Sequence, residues 1–154
     1  MRYLTLVIAF AVGACAGTVA QTTAQQPSST AEPSTRAATV IRLANAEHRQ
    51  VAGGKAQIRF LARGANAFVG KLEMAAGGKV PPHADATEEY VHVLSGGGRI
   101  TIDGKETAVG AGDTIYMPAN ARVSYQNGDT KMVALQVFAG PAPAAKYDRW
   151  QVVR

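Results

Sequence analysis

At 154 residues, 47% of them hydrophobic and 18% charged, the chain is long enough to bury one core and too short for two large domains. Its net charge of +5 comes from singly placed lysines and arginines, with no basic block and no interleaved aromatics, which excludes a nucleic-acid groove and predicts no nucleic-acid partner. A single cysteine excludes an internal disulfide.

The first segment, MRYLTLVIAFAVGACAG, has one basic residue, an apolar run from Tyr3 to Val12 and then small residues. The run is too short to span roughly 30 Å of hydrocarbon, so residues 1–14 are expected to be an export signal that is removed. Its loss, with Arg2 as its only charge, leaves the mature chain at +4. Val12-Gly13-Ala14-Cys15 also resembles the lipobox of bacterial lipoproteins. That resemblance implies lipidation of Cys15, anchoring to the cell envelope and, with Ala16 next, an outer-membrane address in a Gram-negative cell; without lipidation Cys15 is lost with the signal or is an incidental thiol. Residues 15–38 are rich in Thr, Gln, Ser, Ala and Pro and lack apolar periodicity, the composition of a disordered tether that cannot offset its own ordering entropy.

From Thr39 to Arg154 the texture is that of one β-domain. Short apolar and β-branched runs recur between Gly, Asn, Asp and Pro punctuation, predicting strands at Val40–Ala44, Ala56–Ala62, Ala67–Met74, Glu89–Leu94, Arg99–Ile102, Glu106–Val109, Thr114–Met117, Arg122–Tyr125 and Lys131–Phe138. Asp103-Gly104 is the strongest turn signal, because a two-residue type I′ hairpin needs positive φ at both central positions. Helix is expected to be at most a turn in the Pro-rich tail, Gly140–Tyr147. The fold class is all-β, a sandwich or barrel.

Chemistry concentrates in PPHADATEEYVHVLSG, Pro81 to Gly96. Alternate side chains of an extended strand share a face, so His83 and Asp85 project together and Glu89, Val91 and Val93 take the same parity, while Tyr90, His92 and Leu94 take the other. His83, Asp85 and Glu89 are therefore placed to converge on one interior point.

These residues carry a resemblance to the cupins, small jelly-roll barrels. Gly77, His83, Glu89 and Gly96 stand at the spacings of the first cupin motif, with Asp85 where a second histidine is usual. Gly112, Pro118 and Asn127 match the second motif, with Asn120 in a glycine position and Val123 in that of its histidine. The resemblance spans roughly Ala56 to Ala139, implies a jelly-roll β-barrel, and leaves Thr39–Lys55 room for an edge strand. It also implies a metal on the first-motif histidines and glutamate and the second-motif histidine, of which His83 and Glu89 remain and Asp85 substitutes. Two carboxylates and one imidazole are a harder set than three histidines and a glutamate, favouring Mn or ferrous Fe in a weak site.

Three outcomes stay open for His83, Asp85 and Glu89: a divalent metal site, a metal-free polar contact with a small-molecule ligand, or a relic that only satisfies packing. Without a cation the two carboxylates repel, and one can hold a proton. Val123, Tyr125 and Gln136 are candidate pocket residues, although Tyr125 reads more readily as a core or rim aromatic and Gln136 equally as an outward position. His92 is expected to be outside the site, His48 solvated, and Trp150 a clasp over the barrel. The same features fit a metal-dependent cupin-type enzyme (dioxygenase, isomerase or lyase), a binding module for a small molecule, or a structural barrel that acts through its outer surface. A homodimer is implied by the cupin resemblance alone.

Overall fold

The computed structural model describes residues 37–154; the expected signal, Cys15 and the tether through Arg36 lie outside them. Eleven strands follow in chain order: β1 (His48–Gln50), β2 (Ala56–Arg63), β3 (Phe68–Met74), β4 (Lys79–His83), β5 (Glu89–Ser95), β6 (Gly97–Ile102), β7 (Lys105–Gly110), β8 (Thr114–Met117), β9 (Val123–Asn127), β10 (Met132–Phe138) and β11 (Gln151–Val152). One sheet has the order β11-β1-β2-β3-β10-β5-β8 and the other β4-β9-β6-β7, and every pairing is antiparallel. Together they make an all-β barrel of two antiparallel sheets.

Alternation builds this barrel. Along β5, Glu89, Val91 and Val93 are buried and Tyr90, His92 and Leu94 exposed; along β10, Met132, Ala134, Gln136 and Phe138 are buried. One face of each strand thus lines the interior, where Ile58, Phe68, Met74, Val93, Ala134 and Phe138 are almost fully covered.

The chain must cross from one sheet to the other between β5 and β6, and it does so at Gly96. With φ at +72°, a Cβ there would also stand 2.4 Å from the Lys131 carbonyl oxygen, so both backbone conformation and space demand glycine. The Asp103-Gly104 turn has φ of +48° and +84°, as expected for its hairpin between β6 and β7.

Three expectations are corrected. Val40–Ala44 is not a strand: the chain becomes a short 3-10 turn at Leu43–Asn45, and the strand before β2 is β1, which contains His48 and lies between β11 and β2. His48 is consequently half-buried and its Nε2 lies 2.9 Å from Gln57 Oε1, because pairing with β2 holds it against the sheet. The tail folds further than a turn, into a 3-10 helix at Ala142–Arg149. Its three-residue period puts Ala144, Tyr147 and Trp150 on one side, where the first two are buried and Trp150 packs edge-on against Tyr147. Strand β4 is absent from the expected list; it carries Pro81 and Pro82 and is an edge strand, where a missing N–H is tolerated.

Candidate functional site

His83, Asp85 and Glu89 do meet, but not along one continuous strand. His83 ends β4, Asp85 lies in the following loop, and Glu89 begins β5 in the other sheet. The loop is pinned where the Asn120 amide donates to the Asp85 carbonyl oxygen at 2.7 Å, and Asn120 adopts φ of +64°, the left-handed conformation that asparagine tolerates. One donor atom from each of the three side chains falls within 4.8 Å of the others.

Each donor is oriented by its surroundings. The His83 Nδ1 lies 3.0 Å from the Pro81 carbonyl oxygen, an acceptor only, so Nδ1 donates there and Nε2 is the ring nitrogen left to face the site. Nε2 stands 3.7 Å from Asp85 Oδ2. Glu89 is 6% exposed and Gln136 5%; the Gln136 amide donates to Glu89 Oε1 at 2.5 Å, and the Tyr147 hydroxyl donates to Gln136 Oε1 at 2.5 Å. Burial raises the pKa of Glu89 against the lowering effects of the Gln136 hydrogen bond and the Lys146 charge, so this carboxyl holds its proton more readily than a solvated one. Burial likewise pushes the Tyr147 hydroxyl upward, keeping it a neutral donor.

The cluster forms one polar end of a cavity of about 960 Å³ whose other walls include Leu72, Val91, Ile100, Ile115, Met117 and Met132. Val123 and Tyr125 line it, and so does Gln136, whose side chain points inward. Val123 is register-paired with His83 and offers no donor. The Tyr125 hydroxyl is turned to Asn127 Oδ1 at 3.2 Å, and the Asn127 amide nitrogen donates to the carbonyl oxygens of Met74, Ala75 and Thr130; the motif asparagine thus ties three segments together and serves architecture. His92 faces out and meets Thr114.

Two site residues escaped the sequence reading, Lys146 and Tyr147, both on the tail helix. The Lys146 ammonium lies 2.7 Å from Asp85 Oδ2 and 4.6 Å from the centre of the Phe138 ring. The only sequence signal was the Ala144, Tyr147, Trp150 spacing, which marks a buried stripe and says nothing of where that stripe docks. Chemically, the residues present suit a metal in part. An imidazole lone pair and two carboxylates are competent donors for a divalent ion, yet the chain's own amide and ammonium groups already engage both carboxylates.

Residues 70–138 match the model of the cupin domain. No curated protein matches the sequence. Among solved structures, the chain is similar to an RmlC-like cupin from Shewanella frigidimarina, with a TM-score of 0.64 and 17% identity over 71% of this chain and 96% of that one. A predicted oxalate decarboxylase from Thermotoga maritima superposes with a TM-score of 0.60 at 20% identity, over 66% of this chain and 99% of the other. The polyketide cyclase RemF from Streptomyces resistomycificus gives a TM-score of 0.58 at 18% identity, over 66% and 79% respectively. At these identities the likeness is one of fold.

Proposed function

We infer, for a chain that carries a cupin domain over residues 70–138 and folds as a cupin jelly roll, that its activity is to bind a small oxygen-bearing organic molecule inside the barrel. The observation that carries this reading is the cavity itself: mainly apolar walls joined by the polar side chains of His83, Asp85, Glu89 and Gln136, the mixture that fixes a small ligand's orientation. The apolar part of the ligand packs on Leu72, Ile115 and Val123, and its oxygens meet the His83 Nε2 and the Glu89 carboxyl.

His83, Asp85 and Glu89 are also the residues that would hold a divalent metal, Mn or ferrous Fe by the hardness of the set, and such an ion supplies polarisation of a ligand oxygen when bound. A second reading, catalysis, is favoured by the buried Glu89, whose carboxyl holds its proton more readily than a solvated one, grouped with the His83 imidazole in the lining of one cavity. The proposed setting is the cell envelope, with the chain exported, lipidated at Cys15 and paired as a homodimer. Incorporation of labelled palmitate that is lost in Cys15→Ser tests the anchor.

For the pocket, the full chain is purified without chelators and its bound metals are measured by mass spectrometry. Thermal shifts are then recorded with small sugars, sugar acids and hydroxy acids, beside the Asp85→Ala, Glu89→Ala double variant. A ligand that raises the melting temperature of wild type and not of the folded double variant is expected, since a molecule that binds only the native state stabilises it. Equal shifts in both proteins would remove the polar end from the binding site.

A further inference from the structure

The Asp85 carboxylate already has a cation, and that cation is covalently part of the chain. We propose that the ammonium of Lys146 is the resident cation of the His83, Asp85, Glu89 site, standing in for the metal ion that such a donor set would otherwise attract.

Four observations carry the proposal. The ammonium sits 2.7 Å from Asp85 Oδ2, the same oxygen that faces His83 Nε2 at 3.7 Å, so it occupies the acidic side of the cluster. Both members of this ion pair are largely shielded from water, with side-chain exposures of 28% for Lys146 and 16% for Asp85, so the attraction is less screened than on the open surface. The ammonium also lies over the Phe138 ring at 4.6 Å, a second favourable contact for a positive charge.

Finally, the helix that delivers it is clamped. Arg63 donates to the Ala144 carbonyl oxygen at 3.1 Å and pairs with Asp148 at 3.2 Å, Arg49 donates to the Asp148 carbonyl oxygen at 2.6 Å, and the buried Tyr147 hydroxyl holds Gln136. A divalent ion on Asp85 would have to share this oxygen with a like charge held close by, and like charges at such range repel. The same lysine compensates for Val123: with no fourth protein donor in the second motif's histidine position, a metal is held weakly, and a tethered ammonium keeps the two carboxylates from facing each other unneutralised.

This inference rests on His83, Asp85 and Glu89 being the polar end of the pocket, and its test is separate from the ligand shifts that probe that reading. Mn(II) affinity is measured by titration calorimetry on the full chain and on Lys146→Met, which keeps an unbranched apolar side chain and removes the charge, and Lys146→Arg, which keeps the charge; melting curves establish that each is folded. The expected result is Mn(II) binding about tenfold or more tighter in Lys146→Met than in wild type, no gain in Lys146→Arg, and loss of the gain when Asp85→Asn is added. Equal Mn(II) affinity in wild type and Lys146→Met, including no binding by either, would overturn the proposal. So would an equal gain in Lys146→Arg, which would trace the effect to packing and not to charge. Should Lys146→Met not fold, Lys146→Gln is read by the same criteria.

Discussion

Glu89 shows how one residue's surroundings set its chemistry. It is an ordinary glutamate until β5 carries it into the barrel, where loss of water outweighs the Gln136 hydrogen bond and the Lys146 charge and raises its pKa. In the metal-free protein, between the usual carboxylate pKa and this raised value, the folded state binds more protons than the unfolded one. Stability therefore falls as pH rises through that window and levels off above it. Glu89→Gln removes the titration and keeps an acceptor for Gln136. Urea midpoints measured in chelator from about pH 4 to about pH 8 are expected to decline less in the variant than in wild type. Identical slopes would show that Glu89 is not the group responsible.

Elements in this barrel are held to their places by a few backbone positions. Gly96 and Gly104 both have positive φ, but only Gly96 is crowded, by the Lys131 carbonyl; around Gly104 no atom lies within 4 Å of the position a Cβ would take. Gly104→Ala is expected to cost about 1 kcal/mol, the conformational term alone. Gly96→Ala adds the steric term and is expected to cost about 3 kcal/mol, because the crossover at Gly96 must shift away from the Lys131–Met132 backbone to admit the new atom. Denaturant melts of the two variants check the difference, and comparable losses would contradict the close approach. The edge strand β4 belongs to the same scale: two prolines cost it ladder hydrogen bonds, yet it survives because β9 alone pairs with it, and it ends on the cavity-lining His83.

At the scale of the whole molecule, the barrel keeps a cavity of about 960 Å³, and part of its lining comes from outside the two sheets. The tail helix supplies that part through Tyr147, which is 3% exposed and packs among Phe60, Phe68, Phe138 and Trp150. Tyr147→Ala removes that aromatic plug and the hydroxyl that orients Gln136, and a loss of about 3–5 kcal/mol is expected in equilibrium unfolding. Tyr147→Phe keeps the ring and is expected to lose only about 1–3 kcal/mol, the cost of an unsatisfied Gln136 oxygen. If the two variants are equally destabilised, the ring does not serve as the plug.

The sequence by itself determined the all-β class, most of the strands, the Asp103-Gly104 hairpin, the left-handed positions and the resemblance to a jelly roll. These depend on period-two alternation and on backbone conformations that only Gly, Asn or Asp adopt cheaply, both of which are local properties. It also singled out His83, Asp85 and Glu89, because parity and motif spacing lie within one short stretch. The pairings that set His48 in β1 between β11 and β2, and that admit prolines into the edge strand β4, were decided by tertiary structure, since the partner strands come from distant parts of the chain. So was the role of Lys146. Sixty-one residues separate it from Asp85, and nothing local to KYDRW records that the helix folds back across the barrel; only three-dimensional packing set an ammonium on the carboxylate where a metal would otherwise be expected.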